Sequence, residues 1–374
     1  MLGSTGSIGR QTLDVARQFP DRIQVWGLAA GSNIEDLAQQ AAEFRPEAVS
    51  LHNALPPADR FPGTQRLSGE QGMIDLVSHP DVDLVIVAST GRSGLIPTIA
   101  AITAGKRVAL ANKETLVMAG EVIQAELRSG TGSLVPIDSE HSAIWQCLQG
   151  EPEKEIERLT LTASGGALRD LSSDELAAVT PELALRHPTW SMGPKITIDS
   201  ANLMNKGLEV LEAQWLFDVP IGSVDIIMHR QSMVHSLVTF SDGSTKAQLG
   251  MPNMRLPIQY ALSHPDRWCG ELPRLDLAAV GELTFGAVDL QLYPALRLAL
   301  EAGRRGGTYP AVLSAADEIA VAAFLGSRLR FTHIPIVVER VLNEHRSCST
   351  PRLNDILDAD AWARTSAWAA VSTL

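Results

Sequence analysis

The sequence predicts an α/β protein in three parts: a doubly wound parallel-sheet domain, an α+β domain with an open sheet, and a small C-terminal helical domain. Three observations carry this. Residues 1–138 alternate short apolar runs with stretches of helical length, the pattern of βαβ units. Ser241-Asp242-Gly243-Ser244 separates two strand-like runs, and Asp-Gly in that setting signals a hairpin. From about Tyr293 the chain is rich in Ala, Leu, Val and Glu, with helical periodicity and little strand signal. The expected limits are 1–138, 139–263, a linker over 264–292, and 293–374.

In the first part Ile23–Ala30, Asp83–Ala88, Arg107–Ala111 and Ser133–Ile137 read as strands, and Ser93–Ala104 reads as a helix. Pro56, Pro57 and Pro62 mark an exposed connection. Gly3, Gly6 and Gly9 lie in LGSTGSIG, a turn whose backbone can approach a pyrophosphate at the start of a helix near Ser7. Such a turn follows the first strand of a sheet, yet only Met1 and Leu2 precede Gly3. A strand takes about five residues, so the expectation is a start upstream of Met1, with a crippled sheet as the alternative. The strand Ile23–Ala30 ends in Gly31-Ser32-Asn33, where an NAD site places an acid. Absence of the acid favours NADP; a plain turn and helix cap would use the same residues.

In the second part Arg158–Ala163 reads as a strand, and Ile196–Asp199 leads into a long helix, Asn202–Phe217. Met233–Phe240 and Thr245–Leu249 are the arms of the hairpin. Function collects at the carboxyl ends of strands in a doubly wound sheet, and Asp138-Ser139-Glu140-His141 follows such an end. Asp138 and Glu140 can face one cation; His141 is either a softer ligand or a residue of the helix start. Asn202, Asn205, Glu209 and Glu212 share one stripe. That stripe is either a solvated face or a third ligand, Glu209, beside the polar donors Asn205 and Lys206. Oxygen ligands without cysteine suit Mg²⁺ or Mn²⁺. Ser164-Gly165-Gly166 follows a strand and exposes backbone N–H groups to an anion. Ser200 sits where a helix N-cap is expected, and either caps or holds an anion. The patternless stretch His187–Gly193 carries Trp190 and Met192, as packing anchors or as a closing loop. Ser232 and His235 lie at the entry to a strand, where a lone His is commonly structural.

Composition bounds the partners. The 374 residues hold 31 Lys plus Arg and 43 Asp plus Glu, a net charge of −12. That argues against nucleic-acid binding, which uses a basic face. Cys147, Cys269 and Cys348 form no CxxC pair, which argues against a thiolate zinc site or disulfide framework and fits a reducing cytoplasm. No apolar run reaches the roughly 18–20 residues of a membrane span, and the N-terminus has no leader pattern. The expectation is a cytoplasmic protein with no membrane partner.

The words LGSTGSIG, LANKET, PIDSEHSAIWQ, SGGALRD, RHPTWSMGPKITIDSANLMNKGLE, HRQSMVHS and DGSTKAQLGMPNMRLPI run in order from Leu2 to Ile258, and AADEIAVAAFL spans Ala315–Leu325. Together they resemble the 1-deoxy-D-xylulose 5-phosphate reductoisomerase family. The resemblance implies conversion of that phosphorylated sugar to 2-C-methyl-D-erythritol 4-phosphate, on the non-mevalonate route to isoprenoid precursors. It implies NADPH, a divalent cation (Mn²⁺ or Mg²⁺, with Co²⁺ a third choice) and a homodimer joined through the hairpin sheet. By the same resemblance Asp138, Glu140 and Glu209 hold the metal, and Lys113, Glu140, His187 and Glu209 are catalytic. Ser139, Ser164, Trp190, Met192, Ser200, Asn205, Lys206, Ser232, His235 and Met254 join Lys113, Glu140, His187 and Glu209 around the substrate. Thr5, Gly6, Ser7, Ile8, Gly31, Ser32, Asn33, Asn112, Glu114 and Gly193 contact NADPH. Many family members carry Lys at the position of Ser32, which leaves Arg10 and Asn33 to meet a 2′-phosphate here. The competing readings are another NADP-dependent dehydrogenase, of the semialdehyde or homoserine kind, and a homologue that has lost its cofactor.

Overall fold

A computed structural model describes residues 1–152 and 155–374. Its elements run α1 (Ser7–Gln18), β1 (Gly27–Ala30), α2 (Ile34–Phe44), β2 (Ala48–Leu51), β3 (Gln65–Ser68), α3 (Gly69–Ser78), β4 (Leu84–Val87), α4 (Leu95–Thr103), β5 (Arg107–Leu110), α5 (Lys113–Ser129), β6 (Ser133–Pro136), α6 (Ser139–Cys147) and β7 (Ile156–Ala163). They continue with α7 (Ser173–Leu176), α8 (Pro181–Ala184), α9 (Pro194–Asn202), α10 (Met204–Leu216), β8 (Val224–Met228), β9 (Val234–Phe240), β10 (Thr245–Leu249) and α11 (Arg255–Ser263). The tail adds α12 (Leu277–Val280), α13 (Pro294–Arg305), α14 (Tyr309–Leu325), α15 (Ile334–Glu344) and α16 (Leu353–Val371). Two units emerge: residues 1–115, 123–142 and 253–273, and residues 116–122, 143–252 and 274–374.

In the first unit six parallel strands fall in two sets, β1-β2-β3 and β4-β5-β6. Leu2 joins them through parallel bridges to Ala29 and Val87. Its N–H donates to Ile86 O at 2.8 Å, and its carbonyl accepts from Ala88 N at 2.9 Å. The order is therefore β3-β2-β1-Leu2-β4-β5-β6, with the winding reversed at the glycine turn, where ligands bind in doubly wound sheets. Leu2, fully buried, lies between β1 and β4 where a first strand is expected, and its hydrogen bonds make the sheet continuous. Gly3 has φ +79°, and a Cβ there would lie 2.4 Å from Ala88 O, so no other residue fits this bend. Leu13, Leu28, Leu37, Val49, Leu51 and Phe61 pack α1 and α2 on one face of the sheet. Burial of such side chains contributes about 1.5–3 kcal/mol each.

In the second unit β10-β9-β7-β8 form a mixed sheet, β7 parallel to β8 and the other pairs antiparallel. The Asp-Gly hairpin joins β9 to β10 as the sequence predicts: Asp242 Oδ1 accepts from Ser244 N at 2.8 Å, closing the turn. α10 packs on this sheet through Val210 and Ala213, which meet Leu159, Leu161 and Val238. Its opposite side joins α13–α16, where Leu208, Leu211, Ala299, Val312, Ala316, Phe324, Val338 and Ala363 form the helical core. Arg364 ties α16 to α14 by pairing with Asp360 and with Glu318 at 2.7 Å.

The structure corrects several expectations. Ile23–Trp26 is not strand, because Ile23 N–H still bonds Phe19 O at 3.0 Å as the chain leaves α1. β2, β3 and β8 are strands that the sequence reading passed over; β3 is largely polar because it lies at a sheet edge. The expected helix Asn202–Phe217 is α10, beginning at Met204, and the stretch read as leading into it is a helix of its own, α9. Leu203, in the left-handed region at φ 61°, breaks them, and Asn202 Oδ1 accepts the freed Met204 N–H at 2.8 Å. Ser200 is no N-cap: Gly193 caps α9, Pro194 starts it, and Ser200 lies in its last turn.

Candidate active site

In the first unit the polar groups gather where strands end. Gly6 is the N-cap of α1 and provides no side-chain cap, so Ser7 and Ile8 present helix-start N–H groups beside Thr5. Gly31 and Ser32 are exposed after β1, and Asn33 caps α2 by accepting from Asp36 N at 3.1 Å. After β5, buried Asn112 accepts from Thr115 N at 2.9 Å. Its amide also donates to Ser89 O and Gly91 O at 2.7 and 2.8 Å. That one side chain fixes the start of α5 and the loop after β4. Glu114 follows, half-buried, in the first turn of α5.

Lys113 is buried, and its Nζ lies 2.8 Å from Asp138 Oδ2 at the end of β6. Asp138 Oδ1 accepts from Ser139 N at 3.0 Å, and Ser139 Oγ donates to Glu140 Oε2 at 2.5 Å. His141 is fully buried with Nδ1 3.9 Å from Asp138. Two carboxylates, a lysine and a hydroxyl thus share the mouth of β5 and β6. They are oxygen ligands fit for a hard cation, beside a donor for a developing oxyanion. Half-buried Met254, just before α11, is in the same unit.

The remaining candidate residues lie in the second unit. Glu209 is 1% exposed; its Oε2 pairs with buried Lys206, and its Oε1 accepts from Asn205 Nδ2 at 2.5 Å. Glu212 is 1% exposed as well, so the stripe is buried rather than solvated. Leu203 sits in a backbone region that costs about 1–3 kcal/mol for a branched residue. Its side chain is packed with Ala163, Tyr293 and Leu296, which holds the strain where Asn205 and Lys206 begin.

Ser164 ends β7. Its Oγ accepts from Gly166 N at 3.3 Å and lies 3.1 Å from His187 Nε2. His187 Nδ1 accepts from Thr189 N and Trp190 N at 3.1 and 2.9 Å, so the ring proton sits on Nε2, aimed at Ser164. Burial, then the charge of Arg169, lowers the His187 pKa to about 4. The ring is therefore neutral at pH 7. Gly166 has φ +67°, and a Cβ there would lie 2.6 Å from Ser200 O. The absent side chain lets α9 bring Ser200 against the Ser164 turn. Trp190 and Met192 are half-buried in an irregular stretch that ends at Gly193. Ser232 is buried with φ 55°, and its N–H bonds His229 O at 3.1 Å. His235 is buried on β9, where Thr162 Oγ bonds its carbonyl at 2.9 Å.

Two supports escaped the sequence reading. His229 Nε2 accepts from Met233 N and Val234 N at 3.2 and 3.1 Å, while Nδ1 meets Thr284 O at 2.9 Å; this pins the bend at Ser232. Lys195 bridges Asp199 at 2.5 Å and Asp317 at 2.9 Å, anchoring α9 to α14. His229 lies in HRQSMVHS, Lys195 and Asp199 in RHPTWSMGPKITIDSANLMNKGLE and Asp317 in AADEIAVAAFL, but nothing in those words joins them.

A parallel sheet whose winding reverses at a glycine turn opening a helix is the framework of a dinucleotide-binding α/β protein, the class to which many oxidoreductases belong. Sequence-family models match residues 1–120 (1-deoxy-D-xylulose 5-phosphate reductoisomerase), 134–217 (1-deoxy-D-xylulose 5-phosphate reductoisomerase C-terminal domain) and 249–366 (DXP reductoisomerase C-terminal domain). The 1-deoxy-D-xylulose 5-phosphate reductoisomerase of Synechococcus sp. is 52% identical over 97% of this chain and 95% of its own length. That of Desulforamulus reducens is 49% identical over 98% of this chain and 97% of its own length. The Zymomonas mobilis enzyme, solved with NADPH, superposes with a TM-score of 0.91 at 40% identity, covering 100% of this chain and 98% of that one. A DOX-P reductoisomerase solved with NADPH, fosmidomycin and magnesium gives 0.92 at 38% identity, covering 99% and 97%. The chain belongs to the 1-deoxy-D-xylulose 5-phosphate reductoisomerase family.

Proposed function

We propose that the chain converts 1-deoxy-D-xylulose 5-phosphate to 2-C-methyl-D-erythritol 4-phosphate with NADPH and a divalent cation, in isoprenoid precursor synthesis. The observation that carries this is kinship at about 50% identity along nearly the whole chain. Asp138 and Glu140 in the first unit and Glu209 in the second are the proposed ligands. Their all-oxygen chemistry fits Mg²⁺ or Mn²⁺, and accepts Co²⁺ less readily. When bound, the cation supplies Lewis acidity at the ketone and neighbouring hydroxyl oxygens, and NADPH supplies the hydride.

The chain's own residues orient and enclose the substrate. Lys113, beside Asp138, steadies negative charge on the substrate oxygens while carbons rearrange. Ser139, Asn205 and Lys206 bond the substrate's hydroxyls. Ser164, Ser200 and Ser232 hold its phosphate, with His187 and His235 beside them. His187 keeps Ser164 oriented, because its neutral ring donates toward the serine oxygen. Trp190 and Met192 close over the site and exclude water; Met254 lies beneath them. Thr5, Gly6, Ser7, Ile8, Gly31, Ser32, Asn33, Asn112, Glu114 and Gly193 bind NADPH. Residues 1–138 thus carry most of the cofactor contacts together with Lys113 and Asp138, and 139–263 the rest of the chemistry. Residues 264–292 connect to helical support over 293–374. No helix among the described residues is long and apolar enough to cross a membrane; the reading adds a cytoplasmic homodimer paired through the β7–β10 sheet.

Fosmidomycin with Mg²⁺ and NADPH tests the site directly. A ligand that binds only the folded chain raises its melting temperature. The expected result is an upward shift that requires the cation. No shift with the cation present would contradict the reading.

A further inference from the structure

We propose that Arg10, with Asp36 as its counter-charge, sets the preference of this chain for a 2′-phosphorylated dinucleotide over an unphosphorylated one. The inference rests on the reductoisomerase reading and adds a specificity determinant to it. In a sheet of this order the adenosine ribose lies at the end of the strand β1. The turn there supplies no cation: Gly31, Ser32 and Asn33 lead straight into α2, whose first turn carries Glu35 and Asp36. Those acids suit the helix start. Alone, they would accept a bond from a ribose 2′-hydroxyl and repel a 2′-phosphate.

Arg10 reverses that balance. It stands on the second turn of α1, with Nε donating to Thr5 O at 3.0 Å. Its Nη2 pairs with Asp36 Oδ2. Asn33 Nδ2 donates to the same Oδ2 at 2.6 Å. One carboxylate oxygen thus gathers Arg10 and Asn33 at the 31–33 turn. The Arg10 side chain remains 58% exposed. Most of the guanidinium stays accessible, positioned by Asp36 rather than buried by it. A phosphate at the ribose 2′ position meets this cation and the Asn33 amide as charge-assisted partners. A dinucleotide without that phosphate leaves Arg10 on Asp36 and draws nothing from it.

The test is direct titration of NADPH, NADH, 2′,5′-ADP and 5′-AMP onto the full chain, by calorimetry and nicotinamide fluorescence. Arg10→Gln should weaken NADPH and 2′,5′-ADP about tenfold, and NADH and 5′-AMP less than twofold. Arg10→Lys should keep NADPH within about threefold, because it keeps the charge. Asp36→Asn should strengthen NADPH relative to NADH, by removing the acid that competes for Arg10. Equal factors for phosphorylated and unphosphorylated ligands in Arg10→Gln, or no change in either, would overturn the proposal. If Arg10→Gln does not fold, Asp36→Asn and Arg10→Lys decide by the same ratios. Selectivity lost as stated in a chain inactive on the sugar phosphate would sink the reductoisomerase reading and leave this inference standing. Unselective effects in an active enzyme would do the reverse.

Discussion

His187 keeps its proton on Nε2 because two backbone N–H groups, from Thr189 and Trp190, occupy Nδ1. Burial lowers its pKa from the ordinary 6.5 to about 4. Between those values the unfolded chain binds a proton that the folded chain does not, so this group makes stability fall as pH drops from about 6.5 to 4. The contribution is constant above that window. His187→Gln should flatten the slope of melting temperature against pH there; an unchanged slope would show that the ring titrates normally. Glu140, half-buried and bonded to Ser139, offers a cleaner test of the cation site than buried Glu209. Glu140→Gln should lower turnover by about a hundredfold or more and move melting by no more than about 2 °C. Near-normal turnover would remove Glu140 from the ligand set. The sequence shows these carboxylates plainly, because Asp138-Ser139-Glu140 follows a strand end. It does not show that Lys113 pairs with Asp138, or Lys206 with Glu209, since which lysine turns inward depends on packing from distant segments.

At the element scale the α9–α10 break shows what patterning can hide. Apolar spacing runs through Leu203 without interruption, and only the left-handed backbone at that residue, with Asn202 capping the next helix, separates the two. A single leucine in a strained conformation leaves no compositional mark, so the stretch before it read as a lead-in rather than as the helix α9. Asn202→Ala should cost about 1 kcal/mol through the lost cap, measured by urea unfolding. Gly-Gly after β7 is different: a turn was legible, and the structure adds that Gly166 must stay bare for Ser200 to approach. Gly166→Ala should cost about 2 kcal/mol and raise the KM for the sugar phosphate more than it lowers kcat. An unchanged KM would separate this turn from the phosphate. In the first unit β1, β4, β5 and β6 were legible as short apolar runs, while β2 was passed over although it is fully buried. β3 was missed because its edge position tolerates polar side chains.

Across the whole chain, alternation and composition were enough to predict the three-part α/β plan, because burial dictates both. The long-range ionic links were not legible. Lys195 joins Asp199 and Asp317, which are 1% and 0% exposed, and no local pattern connects α9 to α14. Lys195→Met should destabilise the chain by about 2–3 kcal/mol, by leaving those buried carboxylates without this cation. Unchanged urea unfolding would show that the bridge adds little. The sheet order passes through Leu2, whose bonds to the segments around β1 and β4 place the glycine turn at the reversal point. The proposed activity is reduction of a rearranged sugar phosphate by NADPH. It is tested most directly by following NADPH oxidation by the purified chain with 1-deoxy-D-xylulose 5-phosphate, with and without Mn²⁺ or Mg²⁺. The expected result is oxidation that requires both the sugar phosphate and the cation. A folded chain that binds NADPH yet shows no substrate-dependent oxidation with either cation would contradict it.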